Sequence, residues 1–159
     1  MITENSVSSE EILINAPAQV VWDVILDFGN YGEWNTFCPG MKGEPVVGSP
    51  LEMQVDMGDG PQLQVEYVTK VEPIHTIVWS MENKPGDPVH ADRTQRITPV
   101  DDSSCLYVTI DEFGGEFAGP MLEAMGKIVE KGFNDCAAGL KKRAEALYRE
   151  RLSRETPAG

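Results

Sequence analysis

Positive charge is scarce in this chain of 159 residues, which has 13 basic side chains against 26 acidic ones and a net charge of −13. Residues 1–119 hold 20 of the acidic side chains and only 5 of the basic ones. A surface this acidic repels phosphate backbones and anionic lipids. We therefore expect no nucleic-acid partner, and we interpret the acidic surface as a source of solubility.

Long apolar runs are also missing. No stretch approaches the roughly 20 apolar residues that a membrane-spanning helix needs. The acidic N-terminal segment MITENSVSSEE differs from secretory and transit peptides. Because 41% hydrophobic residues is ordinary for a globular protein, we expect one cytoplasmic domain, monomeric or homodimeric. It would span residues 1–159, with a core at about 10–150 and frayed termini.

Cysteine and histidine are too few for a disulfide framework or a metal site. The three cysteines, Cys38, Cys105 and Cys136, form no CxxC pair, which predicts buried, reduced thiols. A reactive thiol at Cys38 is the alternative, although no base stands nearby in the sequence. The two histidines, His75 and His90, fit no HxH or HExxH pattern.

Nucleotide and nucleophile motifs are absent as well. The chain has no GxSxG and no GxxxxGK[ST] sequence, and GGEFAG at 114–119 lacks the glycine spacing of a phosphate loop. We therefore expect neither a cofactor nor a metal.

The N-terminal part predicts a strand followed by a helix. EEILI at 10–14 has the composition of a short strand, Asn15 is a possible helix cap, and Pro17 suits a first helical turn. The next apolar residues recur on one helical face, and Gly29 is expected to end the helix. They are Val20, Val21, Val24, Ile25 and Phe28.

Residues 41–113 alternate between apolar and polar, which predicts about six consecutive strands. The turns between them include GDGP at 58–61 and NKPGDP at 83–88. Gly119-Pro120 then begins a helix that reaches about residue 152 and is roughly 50 Å long. A twisted antiparallel sheet with one apolar face needs a cover, and this helix is the only long one. We expect a cavity between them.

The alternation also assigns faces to the strands. The pattern predicts that Leu63, Val65 and Tyr67 share the inward face of one strand, and that His75 lies in register with Ile77, Trp79 and Met81 on another. Arg93, Gln95 and Ile97 share a third. For the last strand two faces stay open: Tyr107, Thr109, Asp111 and Phe113, or Leu106, Val108 and Ile110.

Several segments resemble the START-like superfamily, also called SRPBCC, over residues 10–147. They are NAPAQVVWDVILDFGNYGEWNTFCP at 15–39, VTKVEP at 68–73, IVWS at 77–80 and LKKRAEAL in the last helix. The superfamily includes polyketide cyclase/dehydrase-like and birch-pollen-allergen-like proteins. The resemblance implies an α+β helix-grip fold: a curved antiparallel sheet of about six to seven strands around a long C-terminal helix, with two short helices after the first strand.

The resemblance further implies an internal cavity for a hydrophobic or aromatic small molecule. The protein would then be a cofactor-free polyketide cyclase, aromatase or dehydratase, a lyase or isomerase of biosynthesis. A non-catalytic carrier of a hydrophobic metabolite or lipid is the alternative, and a chaperone-cofactor-like interaction domain is a third. The family spacing turns Phe113 inward, and with it Tyr107, Thr109 and Asp111. Arg93 stands where relatives often carry histidine, which weakens transfer of their mechanism.

Four inward-facing side chains form the predicted catalytic set. Arg93 would stabilise an enolate oxygen, Asp111 would hold Arg93, and Tyr107 or His75 would exchange a proton. The alternative is that Arg93 and Asp111 only brace adjacent strands.

The aromatic residues Tyr31, Trp34 and Phe37 recur every three positions and would close the cavity mouth, unless they fill a solid core. Gly132 and Gly139 would leave room beneath the helix, beside a lining of methionines that includes Met81; the alternative is close contact. The predicted ligand-binding residues are Tyr31, Trp34, Phe37, Met53, Val55, Met57, Val65, Tyr67, Ile77, Trp79, Gln95, Thr109, Phe113, Met121, Met125 and Gly132.

Overall fold

A computed structural model describes residues 1–155 as eight strands, two α-helices and one 3-10 helix. The strands are β1 Ser6–Ser8, β2 Ile12–Ile14, β3 Gly40–Lys42, β4 Pro50–Asp56, β5 Pro61–Glu72, β6 Thr76–Ser80, β7 His90–Asp101 and β8 Ser104–Gly114. The helices are α1 Ala18–Leu26, the 3-10 helix Phe28–Glu33 and α2 Ala118–Glu155.

The strands form one antiparallel sheet in the order β1-β8-β7-β6-β5-β4-β3, and β2 also pairs with β8. The buried residues of the sheet and of α2 form one hydrophobic core. This arrangement confirms the helix-grip fold. The strand count exceeds the expected six to seven because β1, which precedes the strand predicted at 10–14, was not predicted; the predicted strand corresponds to β2. Both pair with successive parts of β8.

The first helix buries the apolar face that its spacing predicts. Val20, Val21, Val24 and Ile25 are all buried. The predicted cap is wrong: Pro17 occupies the cap position, without a side-chain hydrogen bond. The backbone N–H of Asn15 donates instead to Glu145 Oε2 of α2 at 2.8 Å. Asn15 therefore ties the start of this segment to the terminal helix.

The terminal helix α2 has 38 residues and turns one side to the sheet. No helix within residues 1–155 is long and apolar enough to cross a membrane. Near the N-terminus, Ile2 bridges to Val7 and packs near Gly126 of α2; the expected fraying of this end stays a prediction. The helix continues to Glu155, and the expected fraying beyond it lies outside the described residues.

Strand β5 turns its more apolar face outward. The prediction that Leu63, Val65 and Tyr67 point inward is wrong: Leu63 is 60% exposed and Val65 is 41% exposed. Tyr67 is half-buried, and its hydroxyl donates to Glu82 Oε1 at 3.5 Å. These three residues do not line the space under α2.

Of the inward residues of β5 at positions 64, 66 and 68, the first two are polar and Val68 is an apolar core residue. Glu66 lies opposite Leu51, and Gln64 lies opposite Met53. Residues directly opposite in an antiparallel pair share a face, and Leu51 and Met53 are buried. The register therefore places the amide of Gln64 and the carboxyl of Glu66 on the core side of the sheet.

The two central glycines of α2 allow close packing and do not leave space. A Cβ at Gly132 would overlap the ring of Phe37, and a Cβ at Gly139 would overlap the backbone oxygen of Trp34. The expectation that these glycines create room beneath the helix is wrong, and the close-contact alternative is correct. The partner is the loop that follows the 3-10 helix.

We predict that Gly139→Ala lowers the free energy of unfolding by about 1–3 kcal/mol, because backbone must move to admit the methyl group. The matched control is Gly126→Ala, whose Cβ would meet only the side chain of Ile2 at 3.5 Å. Alanine is favoured over glycine in a helix by about 1 kcal/mol, so the control should be neutral or more stable. Urea unfolding measures the free energy of unfolding of both variants. If the two variants are equally stable, the close contact at Gly139 is contradicted.

Candidate functional site

A cavity of about 270 Å³ lies between the sheet and the N-terminal half of α2. Its volume is just below the roughly 300 Å³ at which small-molecule sites usually begin. Strands β4, β5, β7 and β8 supply one wall and α2 supplies the other. The apolar lining consists of Phe37, Met53, Val55, Met57, Met81, Val89, Phe113, Met121, Met125, Val129 and Phe133.

Four polar residues complete the lining: Gln64, Glu66, Arg93 and Asp111. Arg93 and Asp111 are predicted from the sequence. Gln64 and Glu66 are not, because the alternation in β5 predicts that the opposite face of this strand points inward. The only signal available in the sequence was the even spacing of Gln64, Glu66 and Val68, which the apolar Leu63 and Val65 mask.

Arg93 is 5% exposed and is held mainly by aromatic rings. Its guanidinium carbon lies 4.3 Å from the ring centre of Phe133 and 5.7 Å from that of Trp79. Such distances allow cation–π attraction. Its Nε donates to the hydroxyl of Thr109 at 3.0 Å, and Nη2 lies 3.8 Å from the sulfur of Cys136.

Asp111 does not hold Arg93 as predicted. The two residues are direct cross-strand neighbours, yet Arg93 takes part in none of the ion pairs formed within residues 1–155. Oδ1 of Asp111 is buried and has no hydrogen-bond partner among the described residues. The brace between strands, offered as the alternative for this pair, is equally absent.

Burial raises the pKa of Asp111 to about 7. The guanidinium of Arg93 opposes this rise, whereas the carboxylates of Asp92 and Glu112 add to it. A carboxyl with a pKa in this range exchanges protons readily near neutral pH.

Glu66 is the second carboxyl of the cavity and is 5% exposed. Its Oε2 accepts a hydrogen bond from Nε2 of Gln64 at 3.0 Å. Burial, and after it the charge of Asp111, raise the pKa of Glu66 to about 8 against the opposing effect of Arg93. Glu66 is therefore mainly a protonated acid at neutral pH.

The other two predicted catalytic residues lie elsewhere. Tyr107 is buried in the core, where its hydroxyl donates to Oε1 of Gln95. Burial raises the pKa of this phenol well above 10. His75 is exposed in the turn between β5 and β6, where its backbone N–H donates to Glu72. The predictions that Tyr107 and His75 reach the cavity are wrong.

The three aromatic residues after α1 do not form one lid. Tyr31 is buried, and its hydroxyl donates to the backbone oxygen of Ile25 at 2.6 Å. Trp34 lies in a separate outer groove between α1 and the C-terminal half of α2. Only Phe37 lines the cavity, and its ring packs edge-on against Phe133 at 5.6 Å. For Tyr31 the core alternative is correct.

The remaining ligand-binding predictions divide between cavity and core. Those in the lining are Met53, Val55, Met57, Phe113, Met121 and Met125. Those packed in the core, away from the lining, are Ile77, Trp79, Gln95 and Thr109. Gly132 lies beside Phe37, on the other side of that ring from the cavity, in an outer depression.

The thiols are not poised for chemistry. Cys38, Cys105 and Cys136 are free and buried. Burial raises the pKa of Cys38 to about 11, so the reactive-thiol alternative is not supported. Among residues 1–155, no group of three His, Cys, Asp or Glu side chains is arranged to hold a metal ion.

Comparison with known proteins gives one family match. The sequence model described as "Polyketide cyclase / dehydrase and lipid transport" matches residues 7–145. A comparison with curated protein sequences finds no match.

Solved structures with the same fold are numerous. The Zhui aromatase/cyclase from Streptomyces sp. R1128 superposes with a TM-score of 0.70 at 18% identity, covering 88% of this chain and 93% of that one. A START superfamily protein from Mycobacterium smegmatis gives 0.70 at 19% identity, with 90% and 99% covered. The di-domain ARO/CYC StfQ from the steffimycin biosynthetic pathway gives 0.64 at 14% identity, with 94% and 53% covered. At these identities the similarity shows the fold alone.

We predict that Glu66→Gln reduces the loss of stability between pH 5 and pH 9. The unfolded chain releases the Glu66 proton near pH 4.5, whereas the folded protein keeps it up to about pH 8. Raising the pH through this window therefore destabilises the folded protein, by roughly 1.4 kcal/mol per unit of pKa difference. Glutamine removes that contribution.

Urea unfolding at both pH values measures the effect. The control is Glu52→Gln, since Glu52 is exposed on the other face of the sheet. Its stability loss should equal that of the parent. If Glu66→Gln also behaves like the parent, the pKa of Glu66 is not raised.

Proposed function

Since the chain belongs to the polyketide cyclase/dehydrase and lipid-transport family, within the START-like superfamily, we propose that it binds an apolar small molecule in the cavity under α2 and catalyses an acid–base reaction there. The reaction would be a cyclisation or dehydration of the kind that the family description names. It would need no cofactor, since the proposed steps use only side chains.

One observation carries this proposal: a guanidinium and two carboxyls share an otherwise apolar cavity. Polar groups in apolar surroundings cost free energy unless they are hydrogen-bonded or paired, so an incompletely paired set indicates a role other than stability. Titratable groups with strongly shifted pKa values in a cleft are a recognised sign of a functional site. Glu66 and Asp111 fulfil this condition, since burial raises both pKa values.

The proposed chemistry suits a β-hydroxy ketone. The carboxylate of Asp111 removes a proton from the carbon beside the ketone, and Arg93 stabilises the enolate oxygen. The protonated carboxyl of Glu66 gives its proton to the departing hydroxyl group, which leaves as water. The product is a conjugated ketone, and proton exchange with solvent returns Asp111 and Glu66 to their starting states.

A carrier of an apolar metabolite is the second candidate. The feature that favours it is the lining, which is mostly methionine, phenylalanine and valine. Methionine side chains adapt to ligands of different shape. In a carrier, the polar residues would orient the ligand without changing it.

We predict that Met125→Trp weakens binding of the neutral fluorophore N-phenylnaphthylamine about tenfold or more, because the larger side chain fills the cavity. The control is Ala124→Trp, which places the same side chain on the exposed side of α2. Fluorescence titration measures both affinities. Equal affinities would show that the probe does not bind in the cavity.

We predict that Arg93→Met lowers turnover about 10²–10³-fold, the typical cost of losing one donor to a developing oxyanion. The test substrate is the β-hydroxy ketone made from naphthaldehyde and acetone, whose dehydration is followed by absorbance of the conjugated product. The control is Arg96→Met, an exposed arginine of the same strand. Arg93→Lys, which keeps the charge, is the second variant in case Arg93→Met does not fold.

Asp111→Asn should lose turnover to a similar extent, if Asp111 acts as the base. Unchanged turnover in a folded Arg93→Met protein would remove Arg93 from the mechanism. If the parent protein binds the substrate without converting it, the carrier becomes the favoured function.

A further inference from the structure

We propose that Glu66 and Asp111 together select the ligand by its head group: they accept a neutral hydroxyl-bearing aromatic molecule and disfavour a carboxylate of the same skeleton. This inference rests on the proposed cavity function and specifies the substrate class. Phenols and alcohols on an apolar ring system would bind, whereas fatty acids and aryl carboxylates would bind poorly.

The first observation is the unpaired oxygen of Asp111. Its Oδ1 is buried and has no partner among the described residues, although the side chain lines the cavity. Nearly all buried polar atoms in folded proteins have a hydrogen-bond partner, and an unpaired one is destabilising. A ligand hydroxyl beside Asp111 would donate to this oxygen once the carboxyl rotates toward the cavity, and would remove that cost. A purely apolar ligand would leave it unpaired.

The second observation concerns Glu66, the hydrogen-bond donor of the cavity. Oε2 of Glu66 already accepts from Gln64, so the carboxyl proton is best placed on Oε1. From there it can donate to a ligand oxygen. A hydroxyl group both donates and accepts, so it suits either carboxyl: it can donate to Asp111 or accept from Glu66.

The charges around the pair explain why an anion is disfavoured. Arg93 is the only cation in the lining, and it faces two carboxyls. The carboxylates of Asp92 on β7 and Glu112 on β8 act on the same site from outside the cavity. The facing part of α2 adds no charge, since it contributes Met121, Met125, Val129 and Phe133.

Arg93 has only Nη1 without a hydrogen bond among the described residues, so it can serve one ligand oxygen, as proposed for the enolate, but not both oxygens of a carboxylate. Its Nε and Nη2 are engaged by Thr109 and Cys136, and its faces are covered by aromatic rings. A carboxylate ligand would enter beside two carboxyls that share one guanidinium. Both Glu66 and Asp111 would then have to remain protonated, and like charges in a site of low polarity repel strongly.

The test uses three probes with one skeleton: naphthol, methylnaphthalene and naphthoate. At pH 7 we expect naphthol to bind about tenfold more tightly than methylnaphthalene, as a hydrogen bond to a charged acceptor allows. Naphthoate should bind at least about tenfold more weakly than naphthol. Isothermal titration calorimetry, or displacement of N-phenylnaphthylamine, measures all three affinities.

Asp111→Leu removes the acceptor and one carboxyl at similar volume. In this variant the advantage of naphthol over methylnaphthalene should disappear, and naphthoate should bind more tightly than in the parent. Glu52→Leu, at an exposed position of β4, is the control and should keep the preferences of the parent. If Asp111→Leu does not fold, the affinities of the parent protein for the three probes still decide whether the head-group selection is correct.

The outcomes distinguish a failure of the head-group selection from a failure of the proposed cavity function. If methylnaphthalene binds as tightly as naphthol, or if naphthoate binds as tightly as either, the head-group selection is wrong while the cavity function stands. If none of the three binds, the proposed cavity function is itself wrong, and the selection with it.

Discussion

The buried guanidinium of Arg93 is the constraint around which the interior of this protein is arranged. A cation taken out of water must be compensated by nearby charge or polarisable groups. Here the compensation comes from three aromatic rings, the hydroxyl of Thr109 and a thiol, and not from a direct ion pair. This arrangement leaves the neighbouring Asp111, which lines the cavity, without its expected partner, and its Oδ1 is buried and unpaired. The polar end of the cavity therefore follows from how one arginine is packed.

The same packing depends on the loop after the 3-10 helix. Phe37 packs edge-on against Phe133, the ring over which the guanidinium lies. Phe37 reaches that position because Gly132 has no side chain to exclude it. The helix, the loop and the arginine thus form one packed unit, and aromatic rings line the part of the cavity next to it. The part lined by Met57, Met121 and Met125 is more adaptable.

The periodic patterns of the long elements predicted a curved antiparallel sheet covered by a long terminal helix, and the family resemblance identified this layout as the helix-grip fold. The alternation of β7 predicted that Arg93 lies on the inner face, whereas the alternation of β8 left both faces open and the resemblance placed Asp111 inward. Strand β5 was misread because Leu63 and Val65 are more apolar than Gln64 and Glu66, and the alternation therefore favours the opposite face. Local patterns fail most often where polar residues serve a site. Here the missed residue, Glu66, is one of the two carboxyls of the cavity.

The contacts of single side chains also could not be predicted from the sequence. Residue spacing suggested that Tyr31, Trp34 and Phe37 act together at the cavity. A 3-10 helix followed by an irregular loop instead keeps Tyr31 and Trp34 in contact, with 4.9 Å between their ring centres, and sends only Phe37 to the cavity. Likewise, cross-strand pairing put Arg93 beside Asp111, as predicted, without producing an ion pair. Register determines which residues are neighbours, whereas rotamers and competing partners determine which of them bond.

The edge strands of the sheet affect how readily molecules of this protein associate with one another. Open sheet edges expose unpaired backbone groups, and long flat edges invite pairing between chains. Here the two terminal strands of the sheet order, β1 and β3, have three residues each. Each edge therefore offers only a short ladder to another chain, and the acidic side chains add repulsion between molecules. The fold thus resists edge-to-edge aggregation while keeping a deeply curved, many-stranded interior.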